Sequence, residues 1–200
     1  MAERPTSDTT EPTDVLGRLK AALGGSPDKK GPPPVERWNP PFCGDLDMRI
    51  AADGTWFYMG TPIGRPALVK LFASVLRKDP ERYVLVTPVE RVGIAVDDVP
   101  FMAVEMAVEG EGRERNVAFR TNVDDLVEVG PDHPLRFDAD ETGGVKPYVL
   151  VRGELWARVT RALTYDLIEL GEDRSAERTP AEFGVFVRGA FYPVPCGEVA

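Results

Sequence analysis

Residues 53–77, DGTWFYMGTPIGRPALVKLFASVLR, decide the fold because they place a strand, a turn and a helix in direct succession. The stretch before them, DLDMRI, alternates polar and apolar side chains and reverses at ADG, so residues 45–59 predict a β-hairpin. Pro66 suits the first turn of a helix, where its missing N–H costs no hydrogen bond. Apolar side chains then recur every three or four residues, which predicts a helix that ends near Lys78, before Pro80.

Most of the chain after this helix has the pattern of antiparallel strands. The runs YVLVTPVERVGIAV, VPFMAVEMAV and RNVAFRTN are rich in apolar and β-branched residues, and the turn sequences DD and EGEG separate them. Because each run follows the previous one through a short turn, the sequence predicts a meander of antiparallel strands.

The second half of the chain repeats the pattern of the first. When Gly54 is aligned with Gly153, RGELWARVTRALTYDLIEL follows the strand and helix pattern of the opening stretch. The sequence therefore predicts an α+β fold of two similar subdomains, related by internal duplication, each a twisted antiparallel sheet with one main helix. This alignment also predicts that residues 48–104 superpose on residues 147–194.

Composition divides the chain into three parts. Residues 1–34 are rich in Thr, Ser, Pro and charge and hold no aromatic residue, so we expect a disordered tail. Within this tail, TDVLGRLKAALGG at 13–25 has the apolar stripe of a short amphipathic helix. The remaining chain is assigned to a first subdomain at 35–137 and a second subdomain at 138–200.

Charge and composition exclude several classes of partner. The formal net charge of −9 argues against binding to nucleic acid or to an anionic membrane, since both need clustered basic residues. Cys43, Cys196 and His133 have no metal-binding spacing, so we expect no metal and no cofactor. Residues 1–14 hold no apolar core of the kind found in signal sequences, and no 18 apolar residues run together, which predicts a cytoplasmic protein.

Several sequence blocks together resemble a known family. The blocks are, in chain order, VERWNPPFCGDLDMRI, WFYMGTPIGRPALVKLF, YVLVTPVERVGIAV, FRTNVDD, HPLRF and PYVLVRGELWARVTRALTYDLIEL. Over about residues 35–195 they resemble domain-of-unknown-function family 1285, a bacterial family. The resemblance implies an α+β protein of two similar subdomains, with a suggested role in signalling or ligand sensing. It implies no catalytic residue.

Basic, polar and aromatic residues suggest a candidate ligand site. Arg65 precedes the predicted helix, where free backbone N–H groups and the helix dipole favour an anion. Trp56 and Tyr58 point the same way from their strand and provide an aromatic wall. The full candidate set is Arg65, Trp56, Tyr58, Glu90, Arg120 and Asn122. In the structural alternative, Arg65 pairs with Glu90 and the aromatic rings fill the core between sheet and helix.

Three classes of function stay open from the sequence. The leading hypothesis is non-catalytic binding of a small anionic ligand or a protein partner, in bacterial signalling or regulation. The alternatives are an enzyme that acts on a small anionic substrate and a structural protein-interaction module. No G-x-S-x-G, phosphate-binding loop or dinucleotide fingerprint occurs, so no catalytic residue is assigned. The oligomeric state is not predicted.

Overall fold

The computed structural model describes residues 33–140, 143–174 and 182–195. The predicted helix at 13–25 and Cys196 therefore lie outside the described residues. The described chain forms fifteen strands and two α-helices, together with short 3-10 helices at Val35–Arg37 and Gly112–Glu114. The α-helices are α1 (Pro66–Ser74) and α2 (Arg161–Glu169).

The first six strands form one mixed sheet. They are β1 (Phe42–Ile50), β2 (Trp56–Tyr58), β3 (Thr61–Pro62), β4 (Leu76–Asp79), β5 (Arg82–Val86) and β6 (Arg91–Val96). Their order across the sheet is β3-β2-β1-β6-β5-β4. The two central strands, β1 and β6, pair in parallel, and every other neighbouring pair is antiparallel. In the chain, α1 lies between β3 and β4.

The next six strands form a second mixed sheet. They are β7 (Phe101–Glu109), β8 (Asn116–Thr121), β9 (Leu126–Glu128), β10 (Leu135–Ala139), β11 (Val145–Arg152) and β12 (Leu155–Val159). Their order is β10-β11-β12-β7-β8-β9, and the central pair of β12 and β7 is again the parallel one. Helix α2 follows β12. A three-stranded antiparallel sheet ends the described chain: β13 (Gly171–Asp173), β14 (Phe183–Val187) and β15 (Ala190–Pro193).

The α+β fold with two similar subdomains is confirmed, with one parallel strand pair in each six-stranded sheet. Counted from its own first strand, each sheet has the order 3-2-1-6-5-4, so the first and last strands meet at the centre. The predicted superposition of 48–104 on 147–194 is wrong, because β13–β15 form a separate sheet while β4–β6 join β1. The shared strand order instead relates 42–96 to 101–159.

Two boundaries differ from those expected. Helix α1 ends at Ser74 rather than near Lys78, because residues 76–79 form β4 and pair with β5. Apolar residues at 75 and 76 fit a helix face and a buried strand equally well, and pairing with β5 decides between them. The division between the two large sheets lies between Val96 and Phe101, earlier than the expected division at 137–138, because β7–β9 pair with β10–β12 through β7 and β12.

Buried apolar residues from both large sheets and both helices form one hydrophobic cluster. Its largest fully buried side chains are Trp56 and Phe72 from the first subdomain and Phe101 and Phe119 from the second. The two subdomains therefore share a core, and burial of this apolar area is the main force that holds them together.

Candidate functional site

The aromatic residues of the expected site belong to the core. Trp56 is 1% exposed, and its ring stacks on Phe72 of α1 with centroids 6.3 Å apart and planes inclined by 23°. Tyr58 is half-buried and packs against the same core. The turn between β2 and α1 therefore brings the aromatic strand and the helix together as a packed joint, which is the structural alternative stated above.

The structure does not bring Arg65 and Glu90 together. Arg65 precedes α1 on the surface, and its guanidinium has no hydrogen-bond or ion-pair partner among the described residues. Glu90 is 6% exposed, and its backbone N–H donates to Thr87 Oγ1 over 3.1 Å. The Glu90 Oε1 atom is buried without a hydrogen-bond partner in the described part of the chain. The expected pair is therefore absent from the described residues.

Arg120 is held by acidic side chains. Its Nε donates to Glu105 Oε2 over 2.7 Å, and its Nη1 donates to Asp124 Oδ1 over 2.7 Å. These hydrogen bonds raise the pKa of Arg120 and lower the pKa of Glu105. Lys70 of α1 also pairs with Asp124, and hydrogen bonds from Lys70 and Arg120 lower the pKa of that carboxyl. Arg120 thus belongs to an ion-pair network between the subdomains.

Asn122 has a structural role at the same junction. Its Oδ1 accepts a hydrogen bond from the Met102 N–H over 3.1 Å, and its own N–H donates to the Met102 carbonyl over 2.8 Å. Gly54, in the turn between β1 and β2, packs against both: an added Cβ would lie 2.8 Å from Met102 Cγ and 3.0 Å from Asn122 Nδ2. The six expected residues therefore lie in the core, on the surface and at this junction rather than in one site.

A cavity of about 700 Å³ lies elsewhere, where α2 meets the start of β11, the end of β12 and the turn between β1 and β2. Its apolar lining consists of Met102, Val145, Pro147, Val159 and Ile168. Because the turn belongs to the first subdomain and the other elements to the second, the cavity lies at the junction between subdomains. Small-molecule sites are common at such junctions and have volumes of roughly 300–1,000 Å³.

One face of α2 forms a wall of this cavity. The face carries residues spaced three or four apart, which places them on one side of a helix: Arg161, Thr164, Tyr165, Ile168 and Glu169. Tyr165 is 58% exposed, and its hydroxyl accepts hydrogen bonds from Arg161 Nε and Nη2 over 3.3 and 3.2 Å. Leu167, on the other side, is fully buried in the core and anchors the helix.

Charged groups of both signs reach the cavity. The cationic ones are Lys146, Arg158 and Arg161, and the acidic ones are Asp53, Asp140 and Glu169. Arg158 is already bound, since its Nη2 donates to the Ala52 carbonyl over 2.8 Å and its Nη1 lies 3.2 Å from Asp98 Oδ2. Lys146 forms no ion pair within the described ranges, so its ammonium group is available to a ligand.

One carboxyl and one hydroxyl of the lining form hydrogen bonds within the protein. The backbone N–H of Thr55 donates to Asp53 Oδ1 over 2.9 Å and lowers the pKa of that carboxyl. The Thr164 hydroxyl donates to the Thr160 carbonyl over 3.0 Å. Histidine, cysteine and serine are absent from the lining as far as the described residues form it. The described residues hold no cluster of three metal-binding side chains.

The sequence patterns did not predict this cavity, although part of its signal is present in α2. Within 161–169, Leu163 and Leu167 mark the core face, while a second stripe of polar and aromatic residues runs beside it. A stripe of this kind is common on solvated helices. This stripe becomes a cavity wall only because β11 and the turn at residues 51–54 pack beside it.

Neither helix in the described part of the chain has the length and apolar character needed to cross a membrane.

Comparisons with known proteins place the chain in a family. The family model for the N-terminal domain of DUF1285, a domain of unknown function, matches residues 33–99, and that for the C-terminal domain matches residues 100–194. The crystal structure of a DUF1285 family protein from Silicibacter pomeroyi DSS-3 is similar, with a TM-score of 0.80 and 48% identity over 90% of this chain and 96% of that chain.

A second structure, of a DUF1285 family protein from Shewanella baltica OS155, gives a TM-score of 0.48 and 28% identity over 62% of this chain and 91% of that chain. Comparison with curated proteins gave no significant match. Both DUF1285 domains match in chain order, and the relative of 48% identity covers 90% of the sequence, so the chain belongs to the DUF1285 family.

Proposed function

We propose that this protein binds a small organic anion with an apolar body in the cavity beside α2, and that it leaves the ligand chemically unchanged. The observation that carries the proposal is the cavity itself, about 700 Å³ in volume and lined by residues of both subdomains. A volume of this size holds a metabolite-sized molecule.

The lining supports an anionic group attached to an apolar body. The Lys146 ammonium has no acidic partner in the described part of the chain, and Arg161 has donors beyond those that bond Tyr165. Arg161 also begins α2, whose first backbone N–H groups have no partner within the helix. Met102, Val159 and Ile168 offer apolar surface to the rest of the ligand.

The same lining favours binding over catalysis. Among the described residues its hydroxyls belong to Thr160, Thr164 and Tyr165, and no described histidine, lysine or carboxylate is hydrogen-bonded to any of them as a base. A binding protein without catalytic groups is suited to sensing, so we extend the proposal to a role in bacterial regulation within the cytoplasm.

A fluorescence titration with the dye anilinonaphthalene sulfonate tests the proposal. The dye joins a sulfonate to an aromatic body, and its emission rises when it leaves water. Wild-type protein is expected to bind it at one saturable site. Thr164→Trp places a large ring in the cavity and is expected to weaken binding by about tenfold or more.

Ala162→Trp is the matched control, because residue 162 is exposed on the same helix and outside the cavity lining. It is expected to bind the dye as the wild type does. Circular dichroism confirms that both variants are folded. Equal binding by Thr164→Trp and Ala162→Trp contradicts the proposal.

A second pair of titrations tests the charge preference. Lys146→Gln is expected to weaken binding of the sulfonate dye by about tenfold, because a charge-assisted hydrogen bond is lost. Binding of phenylnaphthylamine, which has a similar aromatic body but no charge, is expected to stay the same. An equal loss for both dyes shows that Lys146 acts through packing and contradicts the anion preference.

A further inference from the structure

We infer that ligand binding in the cavity is coupled to the docking of the turn at residues 51–54 onto the second subdomain. This inference rests on the proposed function, and it adds regulation: the ligand holds the turn on the second subdomain, and undocking of the turn releases the ligand. The turn connects β1 to β2 and supplies Asp53 to the cavity wall.

The turn is docked by polar and steric contacts at once. Arg158 of β12 donates through Nη2 to the Ala52 carbonyl over 2.8 Å. Gly54 has a φ of +83°, and its missing side chain lets the backbone approach Met102 and Asn122 closely. Asn122 also holds the Met102 backbone, because its Oδ1 accepts a hydrogen bond from the Met102 N–H and its own N–H donates to the Met102 carbonyl. The turn thus docks on a defined surface of the second subdomain, formed by Met102, Asn122 and Arg158.

Two residues of this docking surface also line the cavity. Met102 packs against Gly54, Arg158 bonds Ala52, and both side chains face the ligand volume. A ligand in contact with Asp53 on one side and with Met102 or Arg158 on the other touches both subdomains. Such a ligand binds the docked arrangement better than the undocked one, and a difference in affinity between two states shifts their populations.

Asp98 fixes the orientation of Arg158. Asp98 lies between β6 and β7, and its Oδ2 is 3.2 Å from Arg158 Nη1. The Tyr148 hydroxyl donates to the same carboxylate, with its oxygen 3.2 Å from Oδ1 and 3.3 Å from Oδ2. Arg158 is therefore a positioning residue, held between the connecting segment, the turn and the cavity.

Coupling of this kind is reciprocal, so a change that weakens docking also weakens ligand binding. Gly54→Ala is the test, because residue 54 lies outside the cavity lining and its Cβ would clash with Met102. It is expected to raise the dissociation constant of anilinonaphthalene sulfonate by about fivefold or more.

Gly60→Ala is the matched control. Gly60 has a φ of +73°, so alanine is strained there too, but no atom lies within 4 Å of its added Cβ. This variant is expected to bind the dye within about twofold of the wild type, since the site is unconnected with docking. Equal weakening by both glycine variants, or none in Gly54→Ala, overturns the coupling.

Failure of the coupling and failure of the proposed function give different results. If Thr164→Trp binds the dye as the wild type does, the proposed site is wrong. If Thr164→Trp blocks binding but Gly54→Ala does not, the site stands and the coupling is wrong. Should Gly54→Ala not fold, hydrogen exchange of the wild type decides: the dye is expected to slow exchange at 51–55, and unchanged rates there overturn the inference.

Discussion

Helices α1 and α2 are alike in their local structure and differ in what covers one face. Each has nine residues, each follows a residue whose side chain makes no capping hydrogen bond, and each buries its seventh residue completely. Those seventh residues are Phe72 and Leu167. From the helix sequences alone, either N-terminus is a candidate anion site.

The difference lies on the face that carries the fourth, fifth and eighth residues. On α1, Lys70 from this face pairs with Asp124, and the Ala73 carbonyl accepts a hydrogen bond from Arg152 Nη2 over 2.8 Å. On α2, the equivalent positions are Thr164, Tyr165 and Ile168, and they line the cavity. Equal local signals therefore give a packed contact at α1 and an open cavity at α2, and the neighbouring elements decide which of the two forms.

The largest effect on stability is expected when the packed contact between β2 and α1 is truncated at Phe72. Phe72→Ala removes a fully buried ring that stacks on Trp56, and we expect the free energy of unfolding to fall by about 3–5 kcal/mol. Denaturant unfolding measures this loss. Leu167→Ala, at the same position of α2, is expected to cost about 2–5 kcal/mol. A loss below about 1 kcal/mol in either variant contradicts the shared-core description.

A smaller loss of stability is expected when the contact of Arg152 with α1 is removed. Arg152→Gln removes the charge-assisted bonds to the Ala73 carbonyl and to Asp125, and we expect a loss of about 1.5–3 kcal/mol. Arg82→Gln is the control, because its 3.3 Å pair with Asp45 is exposed and is expected to contribute about 0.5 kcal/mol or less. If both variants unfold alike, the covering of α1 by the second subdomain adds no stability.

The ion pair that covers α1 also predicts a dependence on pH. Lys70 and Arg120 lower the pKa of Asp124 below its ordinary value of 3.8. The stabilisation is therefore present above that value and is lost as the pH falls through the lowered pKa of the folded state. Relative to Asp124→Asn, the wild type is expected to be more stable at about pH 6, and the gap is expected to close in acid. A gap that stays constant from neutral pH into acid shows that Asp124 does not act through its charge.

The smallest effect is expected at the N-terminus of α1. Arg65 is exposed and has no partner among the described residues, so Arg65→Ala is expected to change the free energy of unfolding by less than about 0.5 kcal/mol. Dye binding is expected to be unchanged as well. A clear loss of dye affinity in this variant shows that the anion binds at α1 rather than at α2.

The sequence predicted the architecture better than the site. The local signals were the alternation along the strands, the turn at 52–54 and Pro66. They predicted the correct fold class and the start of α1. The alignment of Gly54 with Gly153 matched local patterns, but whether strands join one sheet or two depends on contacts between distant residues. The end of α1 was missed for the same reason, since pairing with β5 decides it.

Residue type alone could not show that the candidate ligand residues lie in separate environments, because it does not reveal the partners of a side chain. Arg120 suits an anion by its chemistry, yet Glu105 and Asp124 already occupy its donors. Trp56 suits a ligand wall, yet it stacks on Phe72 inside the core. A cavity is a property of several separate elements that approach without filling the space between them, and no single stretch of sequence contains that information.

Hydrogen exchange with and without anilinonaphthalene sulfonate tests most directly the claim that α2 rather than α1 forms the ligand site. At saturating dye, we expect slower amide exchange in residues 161–169 and 51–55, and unchanged exchange in residues 66–74. Exchange that slows in 66–74 while 161–169 stays unchanged contradicts the account.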